Sequence, residues 1–202
     1  KEVNRYYPNG LAYYDQIIQD YHRKRWAKGA WTDDTDMMLC IANAIIKDKD
    51  IKLSTIAQNF KEWFNGEPLG IGCNTFKVLS FKDYTDNPQK GAEIIWNLSG
   101  KKSAANGAVM RTSVIGLWKD DTERHAAQVC KLTHYDPRCT GSCAIIALLI
   151  KNLVYKNQML TLKQLIEIGE RYDDRIREYL VKAAQYEDIN DLILDDAAMG
   201  YT

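Results

Sequence analysis

The sequence predicts an all-α domain, on three observations. Apolar residues recur at helical spacing through most of the chain, and almost nowhere do they alternate as in a half-buried strand. Proline, which breaks helix interiors, occurs four times in 202 residues. Polar caps and Asn, Gly or Pro stops bracket the periodic stretches at the lengths of ordinary helices.

The elements follow in order. Tyr13 to Lys24 reads as a first helix, and Thr35 to Lys47 as a second, with Met38, Ile41, Ala42 and Ile45 facing inward. Ser54 is a good N-cap for a third, which carries Ile56, Phe60, Trp63 and Phe64 and stops at "NGEP", residues 65–68. "IGCNTFKVLSF", residues 71–81, opens another after a glycine-containing loop. Pro88 suits the first turn of the next, which carries Ala92, Ile95 and Trp96 and stops at Ser99-Gly100. In "SAANGAVMRTSVIG", residues 103–116, Asn106-Gly107 forms a turn before a helix with Met110 and Arg111 in its first turns. Asp121 or Thr122 caps a charged helix to Leu132, and Asp136-Pro137 opens a long apolar helix to about Leu153. Thr161 with Gln164 resembles a capping box, starting a helix to about Tyr186 with Leu162, Leu165, Ile166, Ile168, Ile176 and Leu180 inward. The acidic "EDINDLILDD", residues 187–196, ends the ordered part. Eight or nine helices are expected, in a single domain over residues 1–202.

Charge excludes two partner classes. Twenty-seven basic and 27 acidic side chains give a net charge of zero, and neither nucleic acid nor an anionic membrane surface is attracted without a basic face. The longest apolar run, "CAIIALLI" at 143–150, falls short of the roughly 18 residues of a membrane span, and no signal peptide is recognisable. Five cysteines are an odd number, and Cys40 and Cys143 lie in apolar helical stretches, which points to a reduced, cytoplasmic protein. Cys139 and Cys143 with His134 are too few ligands for structural zinc. His22 and His125 read as exposed residues of charged helices. The first residue is Lys1 and the last stretch is "AAMGYT", so a chain cut at both ends is expected.

Chemistry concentrates in "GAWTDDTDMMLCIANAI", residues 29–45. One carboxylate before a helix caps it, but Thr32, Asp33, Asp34, Thr35 and Asp36 supply five oxygen-bearing side chains in a row. Adjacent carboxylates repel, and a hard divalent cation such as Mg²⁺, Mn²⁺ or Ca²⁺ would turn that repulsion into coordination. Thr32, Asp33 and Asp34 offer about three ligands of the roughly six such an ion takes. The small residues around Asn106-Gly107 would let a ligand approach backbone N–H groups at a helix start, which suits phosphate. Arg111 reads as a partner in an internal salt bridge. His134 and Asp136, in "LTHYDPRCTG" (132–141), stand at a junction between helices where side chains meet clefts. "GIGCNT", residues 70–75, is a weak glycine signal alone.

Together and in this order, "G-x-W-T-D-D-T-x-M" (29–37), "G-I-G-x-x-T" (70–75), "N-G-x-x-M-R" (106–111) and "L-T-H-x-D-P" (132–137) resemble the ADP-ribosylglycohydrolase family. Trp63 and the closing "GYT" also fall where its members carry similar residues. The resemblance implies an orthogonal helical bundle whose cleft holds two Mg²⁺ or Mn²⁺ ions. It implies hydrolysis of the glycosidic bond between ADP-ribose and a modified side chain, arginine or serine, or a related ADP-ribose derivative. Thr32, Asp33 and Asp34 would be metal ligands, and Asp33, Asp34 and His134 the catalytic groups. Asn106, Gly107, Ala108, Gly72 and His134 would bind the substrate. Such chemistry builds positive charge at the anomeric carbon, and two metal ions would hold the ribose hydroxyls and ready a water for attack.

Two segments of the family pattern, an N-terminal "G-D-A-x-G" with a downstream acid and a C-terminal "G-G-D-x-D-T", are not in these 202 residues. The second supplies the remaining metal ligands, and Asp195-Asp196 lack its glycine and threonine context. Gly70 stands where some relatives carry an acid. The expectation is a fragment that binds Mg²⁺ weakly and does not turn over alone. The rival reading is a non-catalytic ADP-ribose-binding or crystallin-like structural member of the same fold, disfavoured by the intact Thr32, Asp33 and Asp34.

Overall fold

A computed structural model describes residues 5–21 and 23–188. Among these it is all helix and turn, with no strand. His22, the end of the "EDINDLILDD" stretch, Asp195-Asp196 and the closing "GYT" lie outside the described residues. Eight α-helices lie wholly within them: α1 (Asp33–Asp48), α2 (Leu53–Asn65), α3 (Cys73–Leu79), α4 (Pro88–Leu98), α5 (Thr122–Cys130), α6 (Pro137–Lys156), α7 (Leu162–Glu170) and α8 (Arg175–Ala183).

Side-chain caps mark the start of three of the eight helices. Asn87 accepts a hydrogen bond from the Lys90 N–H and Pro88 occupies the first turn of α4. Asp136 does the same for α6, taking the Arg138 N–H at 2.9 Å. Thr161 and Gln164 form the expected reciprocal box at the start of α7. Ser54 is not a cap: α2 begins at Leu53, after Lys52.

Five expectations are corrected. Among the described residues of 13–24 no α-helix forms; only short 3-10 turns occur, at Tyr14–Gln16 and Arg23–Arg25. Tyr13, Tyr14 and Tyr21 stay exposed, so the segment has no buried stripe, and the Gln16 side chain takes the N–H groups of Ala12 and Tyr13 in a local turn. The helix expected after Asn106-Gly107 is a nine-residue 3-10 run, Val109–Leu117. The final helix breaks into α7 and α8, because the Asp173 carboxylate accepts the Arg175 N–H at 3.0 Å and chelates its guanidinium. The face of α1 that is fully buried is Met37, Ile41 and Ala44 rather than the Met38 face, and Leu162 of α7 stays exposed.

The main core runs from Met37 and Ile41 through Ile56, Phe60, Leu79 and Ile115 to Val129, Leu132 and Cys143. Helix α6 is its axis, packed on the 3-10 run and α5, while α1 packs on α2 and the 3-10 run. By length and composition α6 could cross a membrane. Seven of its twenty residues, Cys139, Thr140, Gly141, Cys143, Ala144, Ile145 and Ala147, are buried within the fold, while Leu153, Val154 and Tyr155 are exposed. At Gly116, a side chain would sit 2.7 Å from the Ala147 carbonyl and Ile150 Cβ, so only glycine admits this crossing. A smaller core, Ala144, Ile145, Ile168 and Ile176, joins α7 and α8 to α6. All five cysteines are free thiols. His125, expected to be exposed, is buried, with Nδ1 3.1 Å from the Asp120 carbonyl.

Candidate active site

Four distant segments meet at one cavity of about 450 Å³. Asp33 comes from the start of α1, Gly72, Asn74 and Thr75 from the start of α3, Asn106 and Gly107 from the loop before the 3-10 run, and His134 from the loop before α6. Ile95 and Leu98 of α4 supply an apolar wall.

The acid cluster divides into two jobs. Thr32 is the N-cap residue of α1, but no side-chain cap bond forms; its hydroxyl lies 3.3 Å from an Asp34 carboxylate oxygen. Asp33 is half-buried and Asp34 exposed. Gly70 packs against Thr32 and Asp33, a side chain there coming within 3.4 Å of the Asp33 carboxylate. Asp36 instead serves the fold: its two oxygens accept the indole N–H groups of Trp31 and Trp63, at 2.9 and 3.1 Å, tying α1 to α2. With Asp36 assigned, four of the five oxygen-bearing side chains remain, among them Thr32, Asp33 and Asp34.

These three groups are oxygen donors of the kind hard cations take, so their chemistry fits a divalent ion whose other positions are filled by water or ligand. Among the described residues no group of three or more His, Cys, Asp and Glu side chains is placed to hold a metal. They fit one ion in part and are too few for two.

His134 is the most constrained polar residue of the wall. It is buried, its Nδ1 lies 2.8 Å from the Thr133 hydroxyl, and its Nε2 has no partner. Burial, reinforced by the charge of Arg111, pushes its pKa down to about 3, so the ring is neutral. A side chain at Gly107 would stand 2.9 Å from Cε1, 3.0 Å from Nε2 and 3.3 Å from the Thr75 hydroxyl. Glycine at 107 is therefore what lets this loop pack directly against His134 and Thr75.

Behind this wall lies Arg111, fully buried. Its guanidinium donates to the Thr133 hydroxyl at 2.7 Å and to the Met37 sulfur at 3.4 Å, and it stacks over the Phe60 ring at 4.4 Å. The expected salt bridge is not found: no carboxylate of the described residues pairs with it. Desolvation accordingly lowers its pKa.

One more group was hidden in the quoted motifs. Asn74 donates to the Thr133 carbonyl at 2.8 Å and accepts from the Ser103 hydroxyl at 3.2 Å, which locks the loops of the second, third and fourth motifs together. The polar ends of "GIGCNT", not its glycines alone, were the signal. Asp136 faces no cleft. It is buried, and its carboxylate accepts from Trp96 and bidentately from Arg138. Burial alone would raise its pKa, but the bonds from Arg138 and Trp96 outweigh this and hold it low. Of the expected site residues, Asp33, Gly72, Asn106, Gly107 and His134 line the cavity; Thr32 and Asp34 flank Asp33 outside it, and Ala108 packs into the core instead.

Known proteins are similar in sequence to this chain. An uncharacterized protein of Archaeoglobus fulgidus is 27% identical over 166 residues, covering 79% of this chain and 52% of that protein. The ADP-ribosylarginine hydrolase Tri1 of Serratia proteamaculans is 24% identical over 141 residues, covering 64% of this chain and 37% of its own. The chain thus spans about half or less of the length of these relatives. The sequence model of the ADP-ribosylglycohydrolase family matches residues 1–201. With that match along nearly the full length, and an all-α fold that gathers its motifs at one cavity, the chain belongs to the ADP-ribosylglycohydrolase family.

Proposed function

We propose that the protein of which this chain is part is a metal-dependent hydrolase that cleaves the glycosidic bond between ADP-ribose and a modified arginine. The carrying observation is the convergence of Asp33, Asn106, Gly107 and His134 on one cavity. Arginine is preferred over serine because a relative is named as an ADP-ribosylarginine hydrolase. Thr32, Asp33 and Asp34 are the oxygen donors that would face a Mg²⁺ or Mn²⁺ ion, and an ion held there would supply positive charge and a template for the ribose hydroxyls. Asp33, which lines the cavity, would orient water and accept its proton. Asn106 and Gly107 give a small-residue loop that lets ADP-ribose approach closely, and the neutral His134 offers it a hydrogen bond rather than a charge.

The test is a titration of ADP-ribose into the chain with Mg²⁺, with Mn²⁺ and with chelator, beside Asp33→Ala/Asp34→Ala, and an assay of ADP-ribose release from an ADP-ribosylated arginine peptide by the longer natural protein. Metal-strengthened binding lost in the double variant, with release by the longer protein, supports the proposal. Binding indifferent to metal and to the double substitution, without release, would favour a non-catalytic ADP-ribose-binding protein.

A further inference from the structure

We propose that Arg111 and Thr133 are positioning residues that fix His134 as the tautomer with its proton on Nε2, so that the ring presents a hydrogen-bond donor to an oxygen of the bound ligand. The inference rests on the hydrolase reading only for the identity of that ligand.

The argument is a count of protons in a buried chain of contacts. A threonine hydroxyl has one hydrogen to give and two lone pairs. Arg111, which can only donate, takes up one lone pair of Thr133 at 2.7 Å. The next contact, 2.8 Å to His134 Nδ1, runs in one of two directions. If Nδ1 carried the proton, both lone pairs of Thr133 would be used and its hydroxyl hydrogen would need another acceptor, and no other contact of that oxygen is found beside the two named. Thr133 is buried, where a stranded donor is costly. If the hydroxyl donates to Nδ1, its hydrogen and the Nδ1 lone pair are both paired, and the ring proton falls on Nε2, which has no protein partner in either tautomer.

Nε2 is the ring nitrogen left without a partner, and His134 lines the cavity beside Gly107 and Thr75. An N–H there recognises an acceptor oxygen, as phosphates and ribose hydroxyls provide. This also gives the buried guanidinium a role: it cannot lose its proton, so the direction of the relay does not reverse near neutral pH.

The chain has three histidines, so their signals are assignable by single substitution. Long-range proton–nitrogen correlation spectra of the nitrogen-15-labelled chain report which ring nitrogen of His134 is protonated. The expected result is a bare Nδ1 and a protonated Nε2 in the wild type, a mixture of tautomers in Thr133→Val and in Arg111→Met, and recovery in Thr133→Ser. ADP-ribose affinity should fall about tenfold in Thr133→Val, the worth of one hydrogen bond, and return in Thr133→Ser. A proton on Nδ1 in the wild type overturns the proposal whether or not any variant folds. So does a mixed tautomer in Thr133→Val at unchanged affinity. If the wild type shows the Nε2 tautomer and the variants lose it while ADP-ribose binds none of them, the relay stands and the hydrolase reading falls.

Discussion

At residue scale the cavity wall leaves little room. Gly107→Ala should place a methyl against the His134 ring, which cannot retreat because Thr133 and Asn74 hold the loop behind it. Overpacking of this kind costs roughly 1–3 kcal/mol, and calorimetric titration should show ADP-ribose affinity down at least about tenfold with thermal unfolding lowered by a few degrees. His134 also links stability to pH. Its folded pKa, about 3, lies below the ordinary value, so between there and about pH 6.5 the unfolded chain binds a proton that the folded chain does not. Stability therefore rises with pH across that window and is lost on acidification. Urea midpoints measured from pH 7 downward should fall less steeply in His134→Gln; identical slopes would refute a neutral buried ring. The sequence named His134 and Gly107 but not their partners, because a motif spacing does not reveal that residues 107 and 134 touch. Arg111 was misread for a related reason: a cation in an apolar run suggests a nearby acid, whereas here hydroxyl, sulfur and aromatic ring share its charge.

At the scale of elements, capping was legible and packing was not. Asp136-Pro137, Thr161 with Gln164, and the stop after Leu98 were read correctly because each depends on a few adjacent residues. Residues 13–24 were misread because the apolar spacing there is not matched by a surface to pack on. Asp136 shows what a cap carries beyond its helix: Asp136→Ala would strip the α6 cap and leave the Trp96 indole and the Arg138 fork without their acceptor. A loss of about 3 kcal/mol is expected in urea unfolding near neutral pH. Its carboxylate, held low, stabilises the fold above about pH 4 and ceases to do so as pH drops through its folded pKa. The crossing of the 3-10 run over α6 is tighter still. Gly116→Ala meets backbone at Ala147, which cannot rotate away, so a destabilisation of about 2 kcal/mol or more is expected by thermal unfolding.

At the scale of the molecule, two cores of unequal size set two levels of stability. Helices α7 and α8 are tied to α6 by Ala144, Ile145, Ile168 and Ile176, with Glu123 holding Arg171 and Tyr172 from outside. Hydrogen exchange should find these two helices opening together at lower free energy than α1, α5 and α6, which share the main core. Uniform protection across all of them would show a single cooperative unit. The all-α class followed from periodicity, and a shared cleft only from the family resemblance; the division into two cores depends on where Gly141 and Gly169 let Ile176 in, which no local pattern announces. The bridge from Trp31 through Asp36 to Trp63 has an optical consequence. Trp31 is exposed at the edge of the acid cluster and its indole is polarised by a carboxylate three positions from Asp33. Charge arriving at that cluster should therefore shift the ultraviolet emission colour of Trp31, one of five tryptophans, so the proposed ion would be read without a label as the Mg²⁺-dependent change that Trp31→Phe abolishes.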